Sequence, residues 1–385
     1  MKTLVDVRLL SRGGTSGIEE YTRNLLGAIL RLDQENDYTL FYNALRKEPL
    51  NLAEPIAKYP NLKIVDWKVP NKILDFSSRT LGWPAIDKLI PADVVFSPHF
   101  NILKSAEAPR VITFHDLSFL HHPEFFSFKQ RFWHWLQDYQ RQAKSASKII
   151  AVSEFTKSDL VNLLGIPDER IEVVYSGIDP GFQRLPKERL EIFQRERDLY
   201  YQFILYLGTI EPRKNVAAII RAFNILKKRP GYSDFRLVLA GKLGWLYQDV
   251  LREIRNSPFK KDIVLWGPVR SGERVLLYNL ARAFVYPSFF EGFGFQPLEA
   301  QASGCPVVVS DRTSLPEVVG ESALKVNPWN LDEIAGAIDQ AVGGSRERLI
   351  GLGLENIKRF SWEKSAQKTL DILKNAQKVS RHTPS

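Results

Sequence analysis

The stretch from Phe284 to Val309, which reads FVYPSFFEGFGFQPLEAQASGCPVVV, decides the fold of this 385-residue chain. Its apolar beginning and the run CPVVV at its end predict two short buried strands. Between them, Pro297 suits the first turn of a helix, where an N–H would have no partner, and Gly304 suits the end of that helix. Such a strand–loop–helix–strand unit is typical of a parallel α/β sheet, and these sheets bind ligands at the carboxyl ends of their strands.

The loop of this unit carries residues that suit a polar ligand. Gly292 and Gly294 allow the backbone to approach a ligand closely, and N–H groups at the start of a helix favour an anionic or hydroxyl-rich partner. Glu291 and Glu299 lie eight positions apart, so both carboxylates can face one cleft and accept hydrogen bonds from vicinal hydroxyls. On spacing alone, chance is the favoured explanation of the two glutamates, but the complete string is much more specific.

The composition excludes several classes of protein. A chain of 385 residues is too long for one ordinary core and predicts two domains. Its single cysteine, Cys305, excludes a disulfide framework and a cysteine zinc cluster. The beginning of the chain is too charged for a signal peptide, and no apolar run reaches the roughly 18 residues of a spanning helix. We therefore expect a cytoplasmic protein.

The positive charge is concentrated in the second half of the chain. Residues 1–180 carry 22 basic and 22 acidic side chains, whereas residues 181–385 carry 31 and 22. Such an excess suits an anionic substrate, an anionic membrane or nucleic acid. Because no zinc-finger, RNA-recognition or helix-turn-helix pattern is present, nucleic acid is not an expected partner.

A second strand–loop–helix series begins with FILYLGTIEPRKNVAAIIRAF. Arg213 and Lys214 stand immediately before its helix, where cations oppose the helix dipole. A local conflict of this kind points to function. We interpret the two cations as a clamp for a diphosphate rather than as a solvated charge pair.

The string EGFGFQPLEAQASGCPVVVSD resembles the Glu–seven residues–Glu signature of the retaining glycosyltransferases of family 4, which have the GT-B fold. The resemblance extends over nearly the whole chain and is strongest from Gly208 to Val319. It implies an α/β protein of two Rossmann-like domains facing a cleft, with a C-terminal helix that crosses back to the first domain. It also implies transfer of a hexose from a nucleotide-diphosphate sugar.

The resemblance and the composition together predict the domain organisation. We expect an N-terminal, acceptor-side domain over residues 1–182 and a donor-binding domain over 201–360. Residues 183–200 are charged and show little periodicity, so we expect a linker there. Residues 361–385 would form the crossing helix and a tail.

The resemblance also assigns roles to individual residues. Glu291 would contact the donor sugar, and Glu299 would hold the ribose of the nucleotide. Arg213 and Lys214 would neutralise the departing diphosphate. His115, at the end of the predicted strand VITF, would contact the donor sugar. The expected catalytic residues are therefore His115, Glu291, Arg213 and Lys214, with Asp116 on the acceptor side.

The resemblance also implies a set of donor-binding positions, in loops that follow strands and in the helix that carries Glu299. They are Gly13, Gly14, Gly208, Lys242, Gly267, Val269, Gly292, Phe293, Gly294, Phe295 and Glu299. A plain tight turn explains the loop of Gly13 and Gly14 equally well, and a solvated loop lysine explains Lys242 equally well. No Asp-x-Asp motif is present, which favours a reaction without a metal or other cofactor.

Two basic and aromatic segments are less specific. Phe132, Trp135 and Tyr139 recur at helical spacing, which predicts that they lie in the core. The segment around Arg79 fits a partly exposed helix. The segments around Arg79 and Arg131 also fit a peripheral contact with the inner face of a membrane.

The resemblance is greatest to mannosyltransferases of bacterial surface polysaccharide assembly. It therefore favours GDP-mannose as donor and a saccharide or lipid-linked saccharide as acceptor. A UDP- or dTDP-sugar donor is the first alternative. A GT-B epimerase or phosphorylase is another, although the lysine context of a pyridoxal phosphate site is not found. A non-catalytic sugar-nucleotide-binding protein is the alternative from another class.

Overall fold

A computed structural model describes residues 1–13, 16–46, 48–50, 52 and 58–382 of the chain. The chain divides into two compact units. The first comprises Met1–His121, Phe128–Gly177 and Ser361–Ser385, and the second comprises His122–Ser127 and Ile178–Phe360.

The first unit is built on a seven-stranded parallel sheet with the strand order β3-β2-β1-β4-β5-β6-β7. Its strands are β1 (Lys2–Asp6), β2 (Asp37–Asn43), β3 (Leu62–Trp67), β4 (Val94–Ser97), β5 (Arg110–Phe114), β6 (Lys148–Ala151) and β7 (Ile171–Val173). Its helices up to residue 164 are α1 (Gly17–Leu32), α2 (Asn71–Thr80), α3 (Ile86–Leu89), α4 (Ser118–His121), α5 (Phe128–Leu136), α6 (Tyr139–Ser145) and α7 (Glu154–Leu164).

Local sequence explains several of these elements. The strands β4 and β5 are buried along their whole length, as expected for central strands of a parallel sheet covered on both faces. Helix α1 begins with a capping box, in which Ser16 and Glu19 satisfy each other's backbone N–H groups. The helix continues with the buried face of an amphipathic pattern.

The last helix, α16 (Trp362–His382), belongs to the first unit, so the prediction of a returning C-terminal helix is confirmed. It packs on α1 and against β4 to β6. Trp362 contacts Tyr21 edge to face with ring centroids 5.8 Å apart, and the Ser365 hydroxyl donates to the Tyr175 carbonyl at 2.5 Å. Buried side chains recur along one face of the helix, at Trp362, Ala366, Leu370, Leu373 and Ala376.

The second unit contains a six-stranded parallel sheet with the strand order β10-β9-β8-β11-β12-β13. Its strands are β8 (Phe203–Leu207), β9 (Arg236–Ala240), β10 (Ile263–Gly267), β11 (Ala283–Tyr286), β12 (Val307–Ser310) and β13 (Leu324–Val326). Its helices are α8 (Lys187–Arg197), α9 (Val216–Leu226), α10 (Gln248–Asn256), α11 (Ser271–Leu280), α12 (Phe295–Ala302), α13 (Leu315–Val319), α14 (Leu331–Val342) and α15 (Arg346–Asn356).

The chain order of each sheet reverses at one point, between β1 and β4 in the first unit and between β8 and β11 in the second. The loops that leave two adjacent strands on either side of such a point diverge and open a crevice, and open α/β sheets bind their ligands there. In the second unit, the loops after β8 and β11 carry the residues that the sequence singled out.

The segment expected to be a linker, 183–200, contains α8 and belongs to the second unit, which begins at Ile178. Phe193 of this helix is buried in the core of the unit, where its ring lies 6.4 Å from that of Trp266. Its surroundings are mostly charged, and a single buried side chain gives little periodicity in the sequence.

The prediction that Phe132 and Trp135 lie in the core is wrong, because more than half of each side chain is exposed. The segment that carries Phe132, Trp135 and Tyr139 forms two helices rather than one. Asp138 has a positive φ of 49° and separates α5 from α6. Tyr139, beyond the break, is half-buried and packs edge to face on Phe119.

Within the described part of the chain, no helix is long and apolar enough to cross a membrane.

A substitution at Gly177 tests how closely the start of α16 packs against the chain at residue 177. A Cβ added at Gly177 would lie 2.2 Å from the backbone N of Trp362, and backbone atoms cannot move aside as a flexible side chain can. We expect Gly177→Ala to lower the free energy of unfolding by about 1–3 kcal/mol, observed as a lower melting temperature. Gly272→Ala, at a helical glycine with no atom within 4 Å of the added Cβ, is the matched control and should leave it unchanged or slightly higher. Equal melting temperatures for the Gly177 variant and the wild type would contradict this packing.

Candidate active site

Four charged side chains from the loops after β8 and β11 form a buried ion cluster. Both oxygens of Glu291 are occupied: Oε1 accepts from Lys214 Nζ at 2.6 Å and Oε2 from Arg213 Nη1 at 2.9 Å. Arg213 also donates two hydrogen bonds to Glu211 Oε1, from Nη2 at 2.8 Å and from Nε at 3.1 Å. The cluster thus balances two cations with two carboxylates, and we name it the ion cluster.

The ion cluster explains why two cations, Arg213 and Lys214, can stand immediately before the N-terminus of a helix. Arg213 and Lys214 lie in a short 3₁₀ turn immediately before α9, where positive charge is unfavourable by itself. The anions beside them are Glu211 and Glu291 of the chain itself. The placement of the two cations therefore does not by itself require a bound diphosphate.

Burial and charge act in opposite directions on the Glu291 carboxyl. Burial alone would raise its pKa, but the Arg213 and Lys214 charges and the Lys214 hydrogen bond outweigh this and lower the pKa to about 2. Lys214 also donates to the Tyr286 hydroxyl, whose pKa burial and the Glu291 charge raise well above its ordinary value. Glu291 is therefore ionised and Tyr286 neutral throughout the physiological range.

The hydroxyl groups of Thr313 and Ser314 bind the backbone of the loop that carries Glu291. The Thr313 hydroxyl accepts from the Glu291 N–H at 3.0 Å. The Ser314 hydroxyl lies 2.9 Å from the Glu291 carbonyl and 3.1 Å from that of Phe293. Gly294 has a φ of 101°, and a Cβ there would lie 2.7 Å from Leu315 Cδ2, so a glycine is needed. Gly292 is buried in the same loop.

Glu299 lies on α12 and has its own set of partners, on α11. Arg274 forms an ion pair with its Oε1, and the Tyr278 hydroxyl donates to its Oε2 at 3.0 Å. The side chain is 95% buried. The two predicted glutamates therefore lie on one loop–helix unit, but each is held by a different group of residues.

Several of these partners were not identified from the sequence. They are Glu211, Arg274, Tyr278, Tyr286 and Thr313. Arg274 and Tyr278 are four positions apart, which places them on one face of α11, and this spacing is the signal that could have found them. The pairing of Glu211 with Arg213 spans two positions, but that of Thr313 with Glu291 depends on the fold.

The other predicted donor-binding positions lie in strand ends, loops and the first turn of α12 of the second unit. Gly208 donates its N–H to the Ala240 carbonyl of β9, and Gly267 ends β10 with a φ of 82°. Val269 packs against the core of the second unit, and Lys242 is exposed. The rings of Phe293 and Phe295 pack edge to face, with their centroids 5.4 Å apart.

Of the two glycines predicted to bind the donor in the first loop, the structure describes Gly13. Gly13 ends a 3₁₀ helix with a φ of 62°, and a Cβ there would lie 2.8 Å from Glu48 Cγ. This is the geometry of a tight turn that needs a glycine. Gly14 lies outside the described residues.

His115 follows β5 in the first unit and is buried. Its Nε2 lies 2.8 Å from the Pro98 carbonyl, which can only accept, so this nitrogen carries the proton. Burial lowers the pKa of the ring, which keeps it neutral and leaves Nδ1 as an acceptor. Asp116 accepts from the N–H and hydroxyl of Ser118 at 3.0 and 2.6 Å. The Asp116 carboxylate thus binds the first residue of α4.

In the part of the chain that the structure describes, no group of three or more His, Cys, Asp or Glu side chains is placed to hold a metal ion.

Two family models match the chain, one in each half. "Glycosyltransferase Family 4" matches residues 15–182 and "Glycosyl transferases group 1" matches residues 201–343. Among curated proteins, the chain is 35% identical over 285 residues to O-antigen chain mannosyltransferase B of Escherichia coli, which covers 73% of this chain and 74% of that protein. It is 27% identical over 263 residues to the serotype-specific mannosyltransferase WbdA of Escherichia coli, of which the match covers only 32%.

The fold is that of solved glycosyltransferases. A glycosyltransferase from Rickettsia africae ESF-5 aligns over 98% of both chains with a TM-score of 0.72 at 20% identity. The predicted GT-B fold, with two Rossmann-like domains, is thereby confirmed. The protein is a glycosyltransferase, and the chain belongs to glycosyltransferase family 4.

Replacing Glu291 tests the ion cluster. A pKa lowered from 4.5 to about 2 corresponds to about 3 kcal/mol of stability, because the folded protein binds the proton more weakly than the unfolded chain. This contribution is complete above pH 4.5 and is lost as the pH falls towards 2. Glu291→Gln should therefore be less stable than the wild type at pH 7, and the difference should shrink below pH 4.5.

Denaturant unfolding of both proteins between pH 7 and pH 3 measures this difference. Glu321→Gln, at an exposed carboxylate, is the control and should unfold like the wild type at pH 7. A constant difference between Glu291→Gln and the wild type across the whole pH range would contradict the lowered pKa.

Proposed function

We propose that this glycosyltransferase moves mannose from GDP-mannose to a saccharide or lipid-linked saccharide acceptor, with retention of the anomeric configuration. The observation that carries the choice of sugar is the 35% identity, over 73% of the chain, to a protein named as an O-antigen chain mannosyltransferase. The WbdA match, although it covers a third of a longer protein, is also to a mannosyltransferase.

The ion cluster supports a role in leaving-group stabilisation. When the bond between C1 of the sugar and the phosphate oxygen breaks, the electron pair leaves with the nucleoside diphosphate, and negative charge develops there. Arg213 and Lys214 lie at the start of α9, beside the N-terminal end of a helix dipole. Fixed cations in a largely buried site stabilise such charge more than they would in water. We therefore propose that they replace a metal in this step.

Charge balance indicates how the cluster responds to the donor. Glu291 and Glu211 neutralise both cations. A diphosphate that approaches Arg213 and Lys214 competes with Glu291 for their N–H groups. Glu291 stays ionised because of its low pKa, and each oxygen released from a cation can accept a hydrogen bond from a sugar hydroxyl.

Glu291 is not a suitable nucleophile in this proposal. Its two oxygens are bound by two cations, and its pKa is about 2, so its lone pairs are weakly basic. Retention would instead proceed on one face of the sugar through an oxocarbenium-like state. The acceptor hydroxyl would bond to C1 on the side of the departing diphosphate and give its proton to a phosphate oxygen.

The partners and burial of Glu299 and His115 support the remaining proposed roles. Glu299 would hold the ribose hydroxyls, with Arg274 and Tyr278 fixing the carboxylate. His115 would contact the donor sugar through its free Nδ1 or its backbone, since Nε2 is held by the Pro98 carbonyl. The neutral ring suits a hydrogen bond to a hydroxyl without adding charge.

Donor preference is the first measurement. Isothermal titration calorimetry of GDP, UDP and dTDP, followed by the matching sugar nucleotides, in buffer with EDTA, should show tightest binding of GDP and GDP-mannose. Tightest binding of a UDP- or dTDP-sugar would replace the donor but keep the site. Binding of none of them would favour the non-catalytic alternative, and binding only after Mg²⁺ is added would overturn metal independence.

Two substitutions separate binding from chemistry. Glu299→Gln should weaken GDP binding by about 10–100-fold, because a hydrogen bond to a charged group is lost from a buried site. Lys214→Ala should lower kcat for sugar transfer by about 10²–10³-fold, the usual effect of removing one group that stabilises transition-state charge. Lys228→Ala, at an exposed lysine of the same unit, is the control for the loss of a positive charge.

Thermal unfolding checks that each variant is folded before its activity is interpreted. Wild-type transfer rates in a folded Lys214→Ala protein would remove Lys214 from the mechanism.

A further inference from the structure

Tyr286 ends β11 and is fully buried, with its hydroxyl beside the ion cluster. Its ring lies nearly parallel to those of Tyr206 and Phe284, at centroid distances of 6.2 and 5.6 Å. This packing needs no hydroxyl, since Phe284 of the same strand is equally buried without one. A buried hydroxyl costs free energy unless it is hydrogen-bonded, so the partners of the Tyr286 hydroxyl indicate what it does.

The Tyr286 hydroxyl joins Lys214 to Gln296. It accepts a hydrogen bond from Lys214 Nζ, because an ammonium group has N–H donors and no lone pair. Its own proton is donated to Gln296 Oε1 at 3.1 Å. Gln296 lies in the first turn of α12, so two hydrogen bonds connect the loop after β8 with the start of α12.

The Lys214 ammonium keeps one N–H for a ligand. An ammonium group has three N–H donors. Within the described part of the chain, Lys214 Nζ donates two hydrogen bonds, one to Glu291 Oε1 at 2.6 Å and one to the Tyr286 hydroxyl. Because the bonds of the nitrogen are tetrahedral, these two partners fix the direction of the third N–H.

The Tyr286 hydroxyl holds Lys214 without cancelling its charge. Burial and the Glu291 charge raise the pKa of Tyr286 well above its ordinary value, so the hydroxyl stays neutral. A carboxylate in the same place would add another anion beside Lys214 and would compete with a diphosphate. Burial and the Arg213 charge lower the pKa of Lys214, and each hydrogen bond that its ammonium donates opposes this by favouring the charged form.

Gln296 determines where the proton of the Tyr286 hydroxyl points. The Glu291 carboxylate is the other acceptor beside this hydroxyl. A Tyr286 O–H that turned to Glu291 would compete there with Lys214. Because Gln296 Oε1 accepts the proton instead, the lone pairs of the hydroxyl face Lys214 and both Glu291 oxygens remain with the two cations.

We propose that Tyr286 is a positioning residue for Lys214, and that Gln296 sets the direction of the Tyr286 hydroxyl, so that the third N–H of Lys214 is held towards the diphosphate of the donor. The identity of this anion rests on the proposed function. The orientation and the charge of Lys214 do not depend on it. Neither Tyr286 nor Gln296 needs to touch the sugar, since both act through Lys214.

Tyr286→Phe tests the effect on Lys214 without any sugar nucleotide. NMR of protein with ¹³C-labelled lysine gives the pKa of Lys214 from the pH dependence of its Cε signal, which the Lys214→Ala spectrum identifies. Tyr286→Phe should lower this pKa by about one unit, because the ammonium loses an acceptor in a buried site. An unchanged pKa would overturn the proposal.

Release of GDP from GDP-mannose tests the effect on chemistry. Tyr286→Phe should lower kcat by about tenfold and change KM for the donor by less than about threefold, because the diphosphate gains charge in the transition state. The alkaline limb of the kcat profile should move to lower pH by about one unit, because activity requires protonated Lys214 and its lowered pKa is reached sooner as the pH rises.

Tyr232→Phe is the matched control. Tyr232 is buried in the second unit and its hydroxyl donates to Asp339 Oδ1 at 2.7 Å, so this change also removes a tyrosine hydroxyl bonded to a charged side chain. It should lower the melting temperature to a similar degree and leave kcat and the alkaline limb unchanged. If Tyr232→Phe lowered kcat as much as Tyr286→Phe, the loss would reflect general stability and the proposal would be overturned.

Gln296→Leu tests the second hydrogen bond. It should lower kcat by about threefold in the wild type and cause no further loss in the Tyr286→Phe background, because Gln296 acts only through the hydroxyl. Losses that add in the double variant would overturn the role of Gln296.

The two readouts separate this proposal from the proposed function. A lower pKa of Lys214 in Tyr286→Phe, together with wild-type turnover, would support the positioning by Tyr286 and contradict the role of Lys214 in the reaction. An unchanged pKa in Tyr286→Phe, together with lost turnover in Lys214→Ala, would keep the proposed function and overturn the positioning.

Discussion

Both oxygens of the Glu291 carboxylate are bound by cations of the neighbouring loop, Lys214 on one side and Arg213 on the other. These charges are largely removed from water, so the loss of any one partner would leave an uncompensated buried charge. The bonds join the loop after β11 to the loop after β8, across the reversal point of the sheet. The ion cluster therefore holds the two loops together on either side of the reversal point.

The same interaction links stability to chemistry. A site with two cations and no counter-ions would bind a diphosphate strongly but would destabilise the folded protein. Glu211 and Glu291 neutralise both cations. In the proposed function, the donor diphosphate would compete with Glu291 for these cations, and a released Glu291 oxygen would accept a hydrogen bond from the sugar.

In the first unit, a buried polar network has a different effect. Arg8 and Gln137 bind Asp75 on the inner face of α2, and the outer faces of α2 and α5 expose apolar side chains. Leu74 of α2 and Leu136 of α5 are also buried, so both helices carry apolar side chains on their inner and their outer faces.

The sequence by itself determined the strand–loop–helix order, the parallel sheets and the loop of Glu291, because apolar runs, glycines and prolines act over a few residues. It did not determine which helix faces are covered: Phe132 and Trp135 recur at helical spacing, yet both are exposed. Nor did it reveal the break at Asp138 or the helix of residues 187–197. Only the tertiary structure decided the partners of Glu291 and Glu299, because Arg213 and Thr313 are brought to Glu291 from 78 and 22 positions away. A repeat of charge or hydrophobicity specifies a face, but what meets that face depends on the packing of the rest of the chain.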